Sequence, residues 1–184
     1  LADLYPQDVQ KAKELLAEAG YPDGFDMTIS VPNNYQQHID TAQVLVEQLK
    51  QIGVNAEIQL IEWDSWLSDV YADRNFQSTV VGIDAAYLSG RALLERFASD
   101  AEKNFINYSN PQYDSLYEQV KKSTDDSEQI DLYKQMETLL AEDAANVYIQ
   151  DMAAEVVLRK GYGGYGFYPL YGQDMGKIYK AAEQ

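Results

Sequence analysis

The segment AQVLVEQLKQIGVNAEIQLIEW, residues 42–63, decides the fold of this chain. Its first half places apolar residues at helical spacing, and Gly53 follows at a position where a glycine commonly ends a helix. Apolar and polar residues then alternate from Val54 to Leu60, which predicts a strand. A helix joined to a strand by a short glycine turn is the repeating unit of an α/β protein.

The same helix–strand unit precedes and follows this segment. Upstream, residues 9–19 have helical spacing, Gly20 stops the helix, and residues 25–31 alternate as a strand. Downstream, a short helix follows Trp63, and the apolar run Thr79–Ile83 predicts a third strand at the centre of the sheet. Three such units in succession predict a parallel or mostly parallel sheet with right-handed crossovers.

The second half of the chain is predicted to be mainly helical. Asn110 is placed to cap one helix, and Asp125 with Glu128 forms a capping-box pattern at the start of a longer one. Residues 147–149 and 156–158 are candidates for short strands. The last part is rich in glycine and tyrosine, which we interpret as an ordered aromatic loop.

Size and charge restrict the classes of protein to which the chain can belong. With 184 residues it is long enough for one domain, or for one lobe of a larger protein. Its net charge of −16 argues against binding to nucleic acid and against docking on anionic lipid, because both need a basic surface. Since the sequence has no cysteine, it has neither a disulfide nor a thiolate nucleophile.

The sequence lacks the usual signatures of an enzyme. It contains no G-x-S-x-G motif, no P-loop and no G-x-G-x-x-G that opens a helix. Its single histidine, His38, is interpreted as a surface residue rather than as a general base or a metal ligand. We therefore predict a protein that is not an enzyme and that holds no cofactor or metal. A hydrolase or transferase domain is the minor alternative, which turnover of a substrate panel would reveal.

The loops that follow the predicted strands are the candidate binding site, because ligands of open α/β sheets bind beyond the carboxyl ends of the strands. These loops combine aromatic rings with hydrogen-bonding side chains, which suits an organic ligand with polar groups. Packing at the edge of the core is the simpler explanation of any one ring, but three such loops favour a site. The candidate ligand-binding residues are Asn33, Asn34, Tyr35, Trp63, Trp66, Gly82, Asp84 and Tyr87.

Four segments occur in an informative order along the chain. They are DVQKAKELLAEAGYPDGFDMTISVP (8–32), AQVLVEQLKQIGVNAEIQLIEWDSW (42–66), NYSNPQYDSLYEQ (107–119) and YKQMETLLAEDAANVYIQD (133–151). Together they resemble the solute-binding proteins of ABC transporters, in the family that binds oligopeptides, dipeptides and nickel (solute-binding family 5). The resemblance covers nearly the whole chain.

The resemblance implies an α/β fold, namely one lobe of a type II periplasmic-binding-protein-like protein. Such a lobe has a mostly parallel open sheet flanked by helices, here with a helical second half. Residues 1–158 resemble the C-terminal lobe, and residues 159–184 resemble the return segment toward an N-terminal lobe that is missing here. The implied partners are a small solute and the ABC permease subunits. The implied location is extracytoplasmic, in the periplasm or as a lipid-anchored protein on a Gram-positive cell surface.

A peptide is the leading ligand implied by the resemblance, with a nickel chelate or an oligosaccharide as alternatives. A surface sensing or interaction protein that keeps the fold without transport is a further alternative. Trp63 matches the tryptophan that borders the family's cleft, Gly82 matches the glycine that closes the third strand, and Tyr87 also matches. The aspartate that pairs with a peptide's amino group in peptide-binding members is Ala86 here. Asp84 lies two residues earlier, on the same side of an extended chain, and is a candidate for the displaced carboxylate.

Overall fold

The computed structural model describes residues 1, 3–84, 89–151, 155–168 and 174–181. The first part alternates helices and strands, which confirms the predicted α/β order. Its elements are α1 (Val9–Glu18), β1 (Asp26–Pro32), α2 (Gln36–Lys50), β2 (Asn55–Ile61), α3 (Trp63–Ser65) with a π-helical continuation (Trp66–Ala72), and β3 (Ser78–Thr79). Gly20 and Gly53 lie just beyond α1 and α2 and have φ angles of 93° and 85°, as glycines that end helices do.

The second part is mainly helical. Asn110 caps α5 by accepting from the N–H groups of Gln112 and Tyr113, and Asp125 caps α6 by accepting from that of Glu128, so both predicted caps are confirmed. The elements are α4 (Gly90–Leu94) with a 3-10 turn (Glu95–Phe97), α5 (Pro111–Lys122), α6 (Asp126–Glu142), β4 (Tyr162–Gly163), a second 3-10 turn (Met175–Lys177) and β5 (Tyr179–Lys180). Among the described residues, no helix has the length and apolar character that crossing a membrane requires.

The described part of the chain forms a parallel sheet with the strand order β2-β1-β3. β1 therefore lies at the centre, and its residues from Ile29 to Pro32 are all buried. α2 packs on this sheet through Ala42, which forms one core with Ile29, Val31 and Val80. Both α2 and α3 begin at the carboxyl ends of strands, so their first turns lie at the edge where a ligand is expected.

The predicted third strand is present and parallel, but its predicted extent, Thr79–Ile83, and its predicted central position were wrong. β3 covers only Ser78–Thr79 and lies at the edge of the described sheet. The backbone N–H of Asn33 donates to Ile61 on β2. Because successive residues of a central strand direct their backbone nitrogens to opposite neighbours, the nitrogen of Pro32 faces β3. Because proline has no N–H, the ladder between β1 and β3 loses its next donor at that point.

The predicted strands at residues 147–149 and 156–158 were also wrong. Both segments have no regular secondary structure, and no strand of the described part of the chain pairs with either of them. Their side chains stay largely exposed, with Val147 at 79% and Val157 at 96%. In the glycine- and tyrosine-rich tail, β4 pairs antiparallel with β5, with Tyr162 opposite Lys180. Residues 169–173 of the predicted aromatic loop lie outside the described residues.

Candidate functional site

The loops after β1 and β2 are joined by two hydrogen bonds. The backbone N–H of Asn33 donates to the carbonyl oxygen of Ile61 at 2.9 Å. The side-chain Nδ2 of the same residue donates to Oε1 of Glu62 at 2.6 Å. Asn33 therefore fixes the start of its own loop to the end of the neighbouring strand, which brings the first two predicted loops together.

Aromatic rings from these two loops form a corner at the edge of the sheet. The rings of Tyr35 and Trp63 are 5.4 Å apart between centroids and nearly perpendicular, at 81°. Behind this pair lies Trp66, which is only 3% exposed and whose Nε1 donates to Oγ1 of Thr79 at 3.0 Å. Trp66 also meets the ring of Phe105 edge to face. The structure thus places Trp63 at the surface of the corner and Trp66 in the core that supports it.

His38 is part of this edge, so its interpretation as a surface residue was wrong. It is half-buried, and its ring centroid lies 5.0 Å from that of Tyr35. Among the described residues, its Nδ1 is buried and has no hydrogen-bond partner. This burial lowers the pKa of His38 from 6.5, so the imidazole is neutral at pH 7. Its position four residues before the fully buried Ala42, on the apolar stripe of α2, is the signal that would have identified it.

The chain after β3 approaches the same edge at Gly82. A Cβ atom at this glycine would lie 3.5 Å from Nε2 of His38, so the imidazole packs directly against the backbone there. Asp84 follows two residues later with an exposed side chain, and its carbonyl oxygen accepts from Nη2 of Arg96 at 3.4 Å. Asn34 is exposed, whereas Tyr87 and Ala86 lie outside the described residues.

The electrostatic character of this edge is negative. The three segments 33–40, 62–66 and 82–84 together contain four acidic residues and no lysine or arginine. The acids are Asp40, Glu62, Asp64 and Asp84. No three histidine, aspartate or glutamate side chains of the described residues come together as metal ligands would. The edge therefore offers aromatic faces and carboxylates to an organic ligand.

The structure brings Asn33, Tyr35, Trp63 and, behind them, Trp66 into one cluster, and it adds Gly82 through His38. Glu62 was missed by sequence reasoning, although it occupies the last position before the α3 helix. No pattern in the sequence distinguishes an acidic residue at this position from the other exposed acidic residues of the chain. Its importance is visible only from its bond to Asn33 on a different strand–helix connection.

A parallel sheet with helices that begin at its strand ends, and with an aromatic, carboxylate-bearing edge, defines the chain as an open α/β fold. Its fold is that of the type II periplasmic binding proteins. The family model of bacterial extracellular solute-binding proteins, family 5 Middle, matches residues 2–105, and the chain belongs to this family. Proteins of this family bind solutes and are not enzymes.

Several known proteins are similar to this chain. The periplasmic oligopeptide-binding protein OppA of Escherichia coli is 29% identical over 158 residues, which cover 85% of this chain and 29% of OppA. The glutathione-binding protein GsiB of Salmonella typhimurium is 32% identical over 145 residues, which cover 74% of this chain and 28% of GsiB. The structure of DppA from Helicobacter pylori in complex with the peptide STSA matches with a TM-score of 0.69 and 26% identity, over 77% of this chain and 28% of DppA. The chain thus spans less than a third of the length of these relatives.

Proposed function

We propose that this chain is the C-terminal lobe of the substrate-binding component of an ABC importer. In this proposal residues 1–158 form the lobe, and residues 159–184 return toward the N-terminal lobe. The component binds a di- or oligopeptide between its two lobes, delivers it to the membrane permease and catalyses no reaction. It works in the periplasm, or on a Gram-positive cell surface by means of a lipid anchor.

The observation that carries this proposal is the preassembled edge formed by Asn33, Tyr35, Glu62 and Trp63. Its rings and polar groups already contact one another, so a ligand does not have to order them on binding. A ligand that touches such an edge on each of two lobes stabilises the closed state over the open state. Uptake then depends on closure around the solute, which requires no chemical step.

A peptide is favoured over the other ligands because the edge is acidic and every peptide with a free N-terminus carries an ammonium group there. OppA and GsiB are named for oligopeptide and glutathione binding, and DppA was solved with a tetrapeptide, which supports the same ligand class. A nickel chelate and an oligosaccharide are the competing ligands. Asp84 is proposed as one carboxylate that contacts the peptide.

The test uses the complete protein that contains this chain. A thermal-shift screen against peptides of two to five residues, nickel chelates and oligosaccharides identifies the ligand, because a ligand that binds only the native state raises the unfolding midpoint. Calorimetric titration then compares Trp63→Ala with Tyr21→Ala, an exposed ring before the amino end of β1. We expect weaker binding only for Trp63→Ala. A response only to sugars or chelates would exclude a peptide function, and unchanged peptide affinity in Asp84→Ala would remove Asp84 from the site.

A further inference from the structure

We propose that Glu62 makes this edge select a ligand group that is positively charged, an inference that rests on the binding function proposed above. Glu62 directly follows β2 and precedes Trp63, and its side chain is exposed. It occupies the position before α3 but makes no capping hydrogen bond with that helix. The carboxylate is therefore not used by its own helix and is available to another group.

The position of the Glu62 carboxylate is fixed from the neighbouring loop. Oε1 accepts from Nδ2 of Asn33 at 2.6 Å, and the backbone of Asn33 is itself bonded to Ile61 at 2.9 Å. A carboxylate offers about four acceptor positions, so this one bond leaves most of its capacity unused. The carboxylate is thus preorganised without being saturated, as a group that binds an incoming donor should be.

Two aromatic rings come from the same two loops as this carboxylate. Tyr35 and Trp63 come from the same two loops as Asn33 and Glu62, and their rings meet at 81° with centroids 5.4 Å apart. The faces of tyrosine and tryptophan attract cations, and a carboxylate forms strong hydrogen bonds with an ammonium or guanidinium group. A carboxylate and two such rings on the same pair of loops suit an amine or a guanidine better than a neutral hydroxyl group.

The charge of Glu62 has no ion-pair partner in the described part of the chain. No lysine or arginine occurs in segments 33–40, 62–66 and 82–84. None of the ion pairs within the described residues involves Glu62. Near Asp84, by contrast, the guanidinium of Arg96 already donates to the backbone. Glu62 therefore has less positive charge near it than Asp84 has, and its carboxylate attracts a cationic group of the ligand more strongly.

The experiment compares a charge-removing variant with a matched control in the complete protein. Glu62→Gln keeps an oxygen that can accept from Asn33 but removes the negative charge, while Glu57→Gln makes the same change at an exposed position within β2, outside the edge. Each variant is titrated calorimetrically with a tetrapeptide that has a free amino group, with its N-acetylated form, and with a diamine. Wild-type protein is titrated with the same three compounds at low and high salt.

We expect Glu62→Gln to weaken binding of the compounds with a free amine by about tenfold or more, and Glu57→Gln to have little effect. N-acetylation should weaken binding to the wild type and make it insensitive to Glu62→Gln. If wild type and Glu62→Gln bind the free peptide with equal affinity, this inference is overturned and the peptide-binding function remains intact. Equal binding of the free and acetylated peptides by wild type would also overturn it, and binding of none of the three compounds would count against both proposals.

Discussion

The indole ring of Trp63 lies parallel to that of Trp66, with an interplanar angle of 5° and 5.3 Å between the ring centroids. The two residues share one stack but have different surroundings. Trp63 is half-buried at the edge of the sheet, whereas Trp66 is buried and donates to Thr79. The inner ring therefore fixes the orientation of the outer ring, which lies where the ligand is proposed to bind.

This stack predicts different effects for its two members. Trp66→Ala should lower the free energy of unfolding by about 3–5 kcal/mol, because it removes a large buried side chain and leaves a cavity. Trp63→Ala should lower it less but should weaken ligand binding by the complete protein. Urea denaturation and calorimetric titration of both variants measure the two effects. If Trp63→Ala were as destabilising as Trp66→Ala and left the affinity unchanged, Trp63 would be a core residue only.

A second prediction concerns the core between α5 and α6. The hydroxyl of Tyr113 is fully buried and donates to the carbonyl oxygen of Leu94 at 2.7 Å. Tyr113→Phe removes this buried hydrogen bond, which contributes about 0.5–1.5 kcal/mol to the free energy of unfolding. Tyr117→Phe on the same helix is the control, since that ring is only half-buried. Equal unfolding free energies of the two variants in urea would contradict the prediction.

The parts of the fold that sequence could predict are those with local causes. The caps at Asn110 and Asp125 form their hydrogen bonds within one helical turn. The alternation of apolar and polar residues that predicts β1 and β2 is contained within each strand. The length of β3 is different, because it is limited by Pro32 on another strand. A short apolar run in the sequence does not show at which residue the neighbouring strand lacks a backbone N–H donor.

The candidate site was predictable to a similar degree. The rule that ligands bind at strand ends located the loops of Asn33 and Trp63 correctly at one edge, where the structure joins them. It did not distinguish the half-buried Trp63 from the buried Trp66, since both rings follow the same strand. Nor did it find His38, whose burial depends on contact with Gly82 from a distant segment.

A third prediction follows from Asp143 at the end of α6. Its Oδ2 accepts from the hydroxyl of Tyr108 at 2.6 Å and from Nδ2 of Asn110 at 2.7 Å. These bonds favour the charged form and lower the pKa of Asp143 below 3.8. The stabilisation is therefore complete above pH 3.8 and is lost as the pH falls through the lower folded-state value.

The measurement for Asp143 is the unfolding free energy of wild type and Asp143→Asn between pH 2 and pH 7. The wild type should be more stable at neutral pH, and its advantage should shrink in acid. Asp131→Asn, an exposed position on the same helix, should show little difference from wild type. A constant gap between wild type and Asp143→Asn across the whole range would show that the charge of Asp143 contributes nothing.

The fourth prediction uses the fact that His38 is the only histidine in the sequence. Burial lowers its pKa from 6.5 in the folded state, so the unfolded chain binds a proton more readily. Stability should therefore be full above pH 6.5 and should decline as the pH falls from 6.5 to the folded-state value. The single imidazole C2 proton resonance reports the folded pKa directly, and the same signal in urea reports the unfolded one. His38→Asn should remove the decline in this range, and equal pKa values in both states would show that the imidazole is solvated rather than packed against Tyr35 and Gly82.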